Sequence, residues 1–216
     1  MPKLIIYGTG VIAEVAAFYF ERDSTYRVEA YTNGREFITE ECHHGKPIVA
    51  FEDVAKTYPP SEFCMFVALG YKNTNQVRQA RYAEAKANGY TLATYISSRA
   101  TYYDTPVGDN CFILEDNTIQ PFVRIGNNVT LWSGNHIGHH STIRDHCFIS
   151  SHVVVSGGCD IGANCFLGVN STLRDNVKLS DFVVVAAGAT VMKNCEERTL
   201  VRPALSEQKV VSRNLI

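Results

Sequence analysis

Five of the seven histidines in this 216-residue chain lie between residues 136 and 152. A neutral imidazole takes up a proton near pH 7, so this cluster is suited to general-base catalysis or to metal binding. The five are His136, His139, His140, His146 and His152. A second candidate site is Gly8-Thr9-Gly10, which follows an apolar run. Glycines in such a turn let a phosphate approach backbone N–H groups at a helix N-terminus.

A six-residue repeat surrounds the histidines. Every sixth residue from Val107 to Val191 is Val, Ile or Leu, and the residue four positions after each of these is small or slim. The residue three positions after each is often Asn, Gly or Asp, which accept a left-handed backbone at low cost. These predicted corner residues are Asn110, Asp116, Asn128, Gly134, Gly158, Asn164, Asn170, Asn176, Gly188 and Asn194.

The repeat predicts a left-handed parallel β-helix, an all-β fold of stacked coils. Each hexad supplies a short strand with two inward side chains and then a corner, so three hexads make an 18-residue coil. Residues 18 apart should therefore stack in inner columns, one of which begins with Cys111 and Val129. Another contains Asn117 and Asn135, whose amides could form a ladder. Five of the seven cysteines fall on inner positions and are interpreted as small core residues.

The first half of the chain alternates strands and helices, which predicts a small α/β domain with a parallel sheet, half of a Rossmann-like fold. The expected strands are residues 3–8, 26–31, 47–51, 64–69 and 90–96. The expected helices are residues 11–21, 52–58 and 73–88. The predicted domains are residues 1–97 for nucleotide-sugar binding, 98–197 for the β-helix and 198–216 for a carboxyl-terminal tail. A domain of this size fits a mononucleotide better than a dinucleotide.

The repeat sorts the histidines by position. His140, His146 and His152 fall on left-handed corners, and His136 faces outward from a strand. His139 lies one residue before a corner, and Gly157 stacks above it 18 residues later. This places a base beside a backbone N–H that could stabilise an oxyanion. The spacing therefore predicts His139 as the catalytic base.

The chain as a whole resembles the sugar acyltransferase family that includes sialic acid O-acetyltransferases and UDP-bacillosamine-type N-acetyltransferases. The resemblance covers essentially the whole chain. It is carried by the segments Ile5-Ile6-Tyr7-Gly8-Thr9-Gly10, Phe66-Val67-Ala68-Leu69-Gly70, Ile137-Gly138-His139-His140-Ser141-Thr142-Ile143 and Ile161-Gly162-Ala163-Asn164-Cys165-Phe166-Leu167-Gly168.

The resemblance implies direct acetyl transfer from acetyl-CoA to an amino or hydroxyl group of a nucleotide-linked sugar, in bacterial surface polysaccharide (O-antigen) synthesis. It implies that His139 is the general base and that acetyl-CoA binds between the β-helices of a homotrimer. Backbone amides matching Gly157, Val169 and Ala187 would contact the cofactor. An acidic residue often follows the catalytic histidine in the family, but here His140 stands in its place.

The resemblance also implies where the nucleotide-linked sugar binds. An aspartate usually ends the second strand in the family, whereas this chain has Thr32 and Asn33 there. The predicted substrate-binding residues are Gly8, Thr9, Gly10, Thr32, Asn33, Gly70, Tyr71 and Lys72. The sequence does not determine the sugar, the nucleotide base, or whether nitrogen or oxygen is acylated.

Composition and charge narrow the alternatives. The formal net charge of −2 gives no electrostatic attraction to nucleic acid or to an anionic membrane. No signal peptide or membrane-spanning run is evident, so a cytoplasmic location is expected. The cysteines form no C-x-x-C pair, and no metal is expected. Two other functions remain open: a zinc hydratase of the carbonic anhydrase kind, which needs three converging histidines, and a non-catalytic β-helix scaffold.

Overall fold

The computed structural model describes residues 1–103 and 105–204. Within these residues an α/β unit is followed by a β-helix. Part of the predicted carboxyl-terminal tail, residues 205–216, lies outside the described residues. No helix in the described ranges has the length and apolar character that a membrane span requires.

The α/β unit contains a five-stranded sheet in the order β3-β4-β2-β1-β5, which confirms the predicted parallel sheet except that β3 runs antiparallel to β4. Its elements are β1 (Lys3–Tyr7), α1 (Val11–Arg22), β2 (Arg27–Asn33), a short 3₁₀ helix (Arg35–Phe37), β3 (Cys42–His43), β4 (Lys46–Ala50), α2 (Val54–Thr57), β5 (Phe63–Val67) and α3 (Gln76–Ala87). Helix α3 begins later than predicted because Asn73, Thr74 and Asn75 all have positive φ, which no right-handed helix accepts.

Short two-residue strands form the β-helix, as the hexad repeat predicts. They are β6 (Tyr95–Ile96), β7 (Phe112–Ile113), β8 (Thr118–Ile119), β9 (Arg124–Ile125), β10 (Thr130–Leu131), β11 (His136–Ile137), β12 (Thr142–Ile143), β13 (Phe148–Ile149), β14 (Val154–Val155), β15 (Asp160–Ile161), β16 (Phe166–Leu167), β17 (Thr172–Leu173), β18 (Lys178–Leu179), β19 (Val184–Val185), β20 (Thr190–Val191) and β21 (Leu200–Val201). They form three parallel sheets, and neighbouring strands such as β10 and β13 pair residues 18 apart. The predicted fold class is confirmed.

The interior of the β-helix is a continuous aliphatic column. The inner residues Cys111, Val129, Cys147, Cys165 and Val183 are fully buried, as the 18-residue spacing predicts. Nine of the ten predicted left-handed corners have positive φ; Asn194 does not, and Arg198 takes a left-handed corner instead. The repeat loses two residues at this end, since β19 pairs Val184 with Leu200. The coil is shortened there and its corner is displaced.

At the other end, the β-helix begins before the hexad repeat. Residues 90–96 were predicted to form the last strand of the α/β sheet, but only Leu92 bridges to that sheet, through Met65. Strand β6 instead pairs with β7, matching Tyr95 to Phe112. The two units therefore share a continuous stretch of chain without a linker.

The two inner asparagines do not form the expected amide ladder. The Nδ2 of Asn117 donates to the carbonyls of Leu114 and Trp132, each at 2.9 Å. The Oδ1 of Asn135 accepts the amide of Val153 at 2.8 Å. Backbone groups at the corners need partners once they are buried, so the asparagines pair with the backbone and not with each other.

Arg78 joins the α/β unit to the β-helix. Its side chain is completely buried, and its guanidinium donates to the carbonyls of Gly70, Asn128, His146 and Cys147 and to the side-chain oxygens of Asn75 and Asn128. The Nδ2 of Asn75 donates to the carbonyls of Asn164 and Cys165. These bonds fix the loop before α3 against one face of the β-helix, the face formed by β7, β10, β13, β16 and β19.

Candidate active site

His139 presents an exposed imidazole on a corner of the β-helix, as its place in the repeat predicts. Its backbone amide donates to Oε1 of Gln120 at 2.8 Å. A β-carbon at Gly157 would lie 2.7 Å from Cε1 of His139, so only glycine there leaves room for the ring. The Nδ1 atoms of His139 and His140 lie 3.1 Å apart. The ring is thus held on two sides while its other nitrogen, Nε2, is left for a substrate.

The amide of Gly157, which the sequence predicts as an oxyanion donor, has a hydrogen-bond partner within the chain. It donates to Oδ1 of Asp175 at 3.0 Å and is therefore already paired. The amide of Ala163 is paired in the same way with Asp181, 18 residues later, at 2.8 Å. The bond to Asp175 is thus a recurrent corner bond of the β-helix. Gly157 shapes the site by its missing side chain, and its N–H is not available to an oxyanion in this arrangement.

The amides at the two other predicted cofactor-binding positions are different. Val169 and Ala187 are both exposed and lie 18 residues apart on one corner of the β-helix. Within residues 1–103 and 105–204, no acceptor is hydrogen-bonded to either amide. This corner therefore offers two unpaired N–H donors in a row, which suits an amide-rich chain such as pantetheine.

The remaining histidines of the cluster have structural surroundings. His146 is half-buried, its Nδ1 lies 2.9 Å from Nδ2 of Asn128, and burial lowers its pKa. The His152 ring packs closely above Gly134, where a β-carbon would lie 2.5 Å from Nδ1. His136 faces outward from β11, between neighbouring strands. His140, His146 and His152 all have positive φ, as predicted for corners.

The Gly8-Thr9-Gly10 turn leads into α1, as predicted. Gly10 is exposed, and a β-carbon built on it meets no atom within 4 Å. Gly8 has a different role, because its φ is +115° and its amide donates to the carbonyl of Thr32 at 2.8 Å. The open part of the turn is therefore the start of α1, where helix amides and dipole favour a phosphate.

Two predicted substrate residues at the end of β2 are structural. Thr32 is fully buried and its hydroxyl donates to the carbonyl of Val49 at 2.8 Å. The Nδ2 of Asn33 donates to Oγ1 of Thr9 at 3.1 Å, and its Oδ1 accepts the amide of Gly34 at 3.0 Å. Thr32 has no surface with which to contact a ligand, and Asn33 braces the turn. Thr32 is thus used inside the α/β unit, whereas Asn33 is partly exposed and its predicted contact with the substrate stays a prediction.

An aromatic groove begins beside the turn. It has a volume of about 200 Å³ and is lined by Ile12, Tyr71, Trp132, Phe148, Ser150, Ser151 and Val169. The ring of Tyr71 lies 5.0 Å from that of Phe148 and 4.7 Å from that of Phe166. The carbonyl of Gly70 is bonded to Arg78, and Lys72 is exposed. Of the predicted group Gly70, Tyr71 and Lys72, only Tyr71 lines this groove.

A smaller cavity of about 150 Å³ lies on the other side of the turn. Its lining includes Thr9, Phe37, Glu40 and His43. The Nε2 of His43 is buried without a hydrogen-bond partner in the described part of the chain, and burial lowers the His43 pKa, which favours the neutral ring. Phe37 and His43 belong to no repeat or motif, so neither stands out as a site residue in the sequence.

The structure does not bring His139 to the groove within one chain. The groove borders the face that packs on the α/β unit, at the corner that carries Ser151 and Val169. His139 lies on the edge between the two other faces, after β11 and before β12. That edge is opposite the packed face of the three-sided coil. Within one chain, this imidazole and the groove therefore do not form one site.

No group of three or more His, Cys, Asp or Glu side chains arranged for a metal ion occurs among the described residues. His140, His146 and His152 lie on three successive corners, which point in three directions. Within one chain they do not provide the converging ligands of a zinc site.

Two protein-family models match residues of the β-helix. The model of the bacterial transferase hexapeptide (six repeats) matches residues 105–139 and 140–175. A second model, the hexapeptide repeat of succinyl-transferase, matches residues 160–193. Together the two matches span residues 105–193, which is most of the β-helix. The matched residues include both the His139 edge and the corner of Val169 and Ala187. A comparison with curated protein sequences found no match.

Solved structures share the fold of the whole chain. The acetyltransferase domain of PglB from Neisseria gonorrhoeae has a TM-score of 0.82 at 20% identity, covering 94% of this chain and 100% of that one. A variant of perosamine N-acetyltransferase from Caulobacter crescentus, in complex with CoA and GDP-perosamine, has a TM-score of 0.81 at 20% identity and covers 93% of both chains. WeeI from Acinetobacter baumannii has a TM-score of 0.71 at 13% identity, covering 94% of this chain and 99% of that one. The α/β unit and the hexapeptide domain are thus combined as in these proteins.

Proposed function

We propose that the protein transfers an acetyl group from acetyl-CoA to an amino group of a nucleotide-linked sugar. The observation that carries the proposal is His139, an exposed imidazole packed against Gly157 on a hexapeptide domain, with Nε2 directed to no partner in the described chain. The likeness to sugar N-acetyltransferases that bind CoA and GDP-perosamine supports the same activity. The fold alone also admits O-acetylation.

The chemistry needs one base and one oxyanion donor. The thioester is already activated, so the acceptor nitrogen attacks its carbonyl carbon directly while Nε2 of His139 takes the proton. The tetrahedral intermediate collapses, the C–S bond breaks and the CoA thiolate takes up the proton. Because the Gly157 amide is paired with Asp175, we assign the role of oxyanion donor to an unpaired corner amide, at Val169 or Ala187.

The nucleotide-linked sugar is assigned to the α/β unit. The phosphates lie at the start of α1, where the exposed Gly10 leaves the amides open. The nucleobase occupies the cavity beside Phe37 and His43, where the unpaired Nε2 of His43 offers a hydrogen bond. The sugar lies in the aromatic groove next to Tyr71 and Trp132, which leads to the corner of Val169. We place this activity in the cytoplasm, in bacterial surface polysaccharide synthesis.

The separation of His139 from the groove implies an assembly. We expect a homotrimer, in which the His139 edge of one chain faces the Val169 corner of the next and acetyl-CoA binds between them. Light scattering at micromolar concentration should give a mass close to three times 24.0 kDa. A monomer under these conditions would be incompatible with a shared site.

Replacing Gly10 with valine tests the phosphate site. The new β-carbon has no atom within 4 Å, and the φ of −97° suits any residue, so the fold should tolerate the change. Loss of one hydrogen bond to a charged phosphate should weaken sugar-nucleotide binding roughly 10- to 100-fold. Calorimetry should show unchanged acetyl-CoA binding, and Gly10→Ala should have a smaller effect. Equal loss of both ligands would indicate misfolding, and no loss of either would mean that the turn is only structural.

The function itself is tested by acetylation of defined acceptors. The protein is incubated with acetyl-CoA and a panel of UDP- and GDP-linked sugars, each in an amino form and a matched hydroxyl form. CoA thiol release and a mass gain of one acetyl group should occur with an amino sugar. Transfer only to hydroxyl forms would change the proposal to O-acetylation. Absence of acetyl-CoA binding would favour the scaffold role.

A further inference from the structure

His139 and His140 form a hydrogen-bonded pair. Their Nδ1 atoms lie 3.1 Å apart and the planes of their rings are nearly perpendicular, at 86°. A hydrogen bond between two neutral imidazoles requires one Nδ1 to carry the proton and the other to offer its lone pair. The pair therefore couples the tautomer of His139, and with it the state of Nε2, to the tautomer of His140.

The ring of His140 is held independently of His139. It packs on the ring of Phe122 with the ring centres 4.7 Å apart. Phe122 lies 18 residues earlier, on the coil below, and both residues have positive φ. The amide of His140 also donates to the carbonyl of Pro121 at 3.3 Å. His140 is thus a fixed point from which the His139 ring can be oriented.

No carboxylate orients the His139 ring in the described part of the chain. In residues 1–103 and 105–204, the one histidine that forms an ion pair is His44, with Glu14. Asp175, which lies in the same column of corners as His139, uses its Oδ1 to accept the Gly157 amide. The position where the resemblance leads one to expect an acidic side chain is filled by His140 itself.

We propose that His140 is a positioning residue whose Nδ1 accepts a hydrogen bond from Nδ1–H of His139. In this arrangement the Nε2 lone pair of His139 is free to take the proton of the acceptor nitrogen as the N–C bond forms. The imidazolium that results keeps its Nδ1–H bond to His140 until Nε2 passes the proton to the CoA thiolate. The effect of His140 on catalysis rests on the proposed acetyl transfer, whereas the hydrogen bond between the two rings does not depend on it.

Two variants separate the hydrogen bond from packing. His140→Asn keeps an acceptor oxygen, and asparagine occupies several left-handed corners of this β-helix, among them Asn128 and Asn164. His140→Phe keeps a ring to stack on Phe122 but has no acceptor. Phenylalanine is accepted at such corners too, since Phe122 and Phe182 have positive φ. Both variants should therefore fold.

The direct readout is ¹⁵N NMR of the imidazole nitrogens in the full-length protein, without substrate. His139 should be in the Nδ1–H tautomer in the wild type and in His140→Asn. In His140→Phe the Nε2–H tautomer should become populated. In the acetyl-transfer assay, kcat should fall by about 10- to 1,000-fold in His140→Phe with an unchanged KM for acetyl-CoA, and His140→Asn should recover most of it.

Each outcome bears on the inference. An Nε2–H tautomer of His139 in the wild type would overturn it, as would equal kcat values for the Asn and Phe variants. If the tautomers are as expected but no acetyl transfer occurs with any acceptor, the hydrogen-bonded pair stands and the proposed function fails. The tautomer and the activity thus test the two proposals separately.

Discussion

Replacing His139 with alanine should lower kcat for acetyl transfer by about 10²–10⁴, which is the usual contribution of a positioned general base. The KM for acetyl-CoA should change little, because the expected cofactor contacts are backbone amides. The fold should be unaffected, since the imidazole is exposed and takes no part in the aliphatic column. Steady-state kinetics at saturating acetyl-CoA, with circular dichroism of the same samples, provide the measurement.

His152→Asn is the matched control for His139→Ala. His152 also lies on a corner of the β-helix and has positive φ, which asparagine accepts readily. Its activity should stay near that of the wild type. His146 is unsuitable as a control, because its ring is half-buried against Tyr82 and bonded to Asn128. If His139→Ala retained most of the activity, His139 would not be the general base and the mechanism would be wrong.

Replacing Arg78 with methionine should lower the free energy of unfolding by about 3–5 kcal/mol. Burial already disfavours the charge and lowers the pKa of Arg78 to about 10, so its removal relieves a desolvation cost. However, the six acceptors that it binds, on Gly70, Asn75, Asn128, His146 and Cys147, would remain without their donor. A buried unpaired acceptor costs about 1–3 kcal/mol, so the loss of several outweighs the relief.

Arg81→Met is the control for the Arg78 variant. Arg81 lies on the same helix, and its side chain is 32% exposed and paired with Glu84 three residues later. Such surface pairs contribute at most about 1 kcal/mol, so this variant should unfold close to the wild type in urea. A similar loss in both variants would show that Arg78 has no special role. Because Arg78 and Asn75 also hold the loop that carries Tyr71, the Arg78 variant should bind the sugar nucleotide more weakly as well.

The sequence predicts the β-helix well because a strict period leaves little freedom. Each inner position of a coil is covered by the coils above and below, so residue size and spacing determine the register. The period fails at the two ends, where a coil has a neighbouring coil on one side only. These ends are the shortened coil near Arg198 and strand β6, which the sequence pattern assigned to the α/β sheet. Long-range packing decided these ends.

The site was predicted in part. The position of His139 beside Gly157 follows from the 18-residue spacing and is confirmed as geometry, while its catalytic role stays a prediction. The pairing of the Gly157 amide with Asp175 could have been found by the same spacing. The burial of Arg78 could not have been predicted from the sequence, because a charged residue on a helix is ordinarily assigned to the surface. Phe37 and His43 depend on how a loop folds over the turn, which no local pattern specifies.

The central claim is that His139 of one chain acts on a sugar held by another chain. Mixing two variants of strongly reduced activity tests this claim most directly. Chains with His139→Ala and chains with Gly10→Val are co-expressed with different tags, and mixed oligomers are purified. Assays use a sugar-nucleotide concentration far below KM, where Gly10→Val alone should retain at most about a tenth of the activity and His139→Ala at most about a hundredth. In each mixed trimer, one of the three sites should combine a wild-type His139 with a wild-type turn, and activity should return to about a third of that of the wild type. A mixture as inactive as its two components would contradict the account.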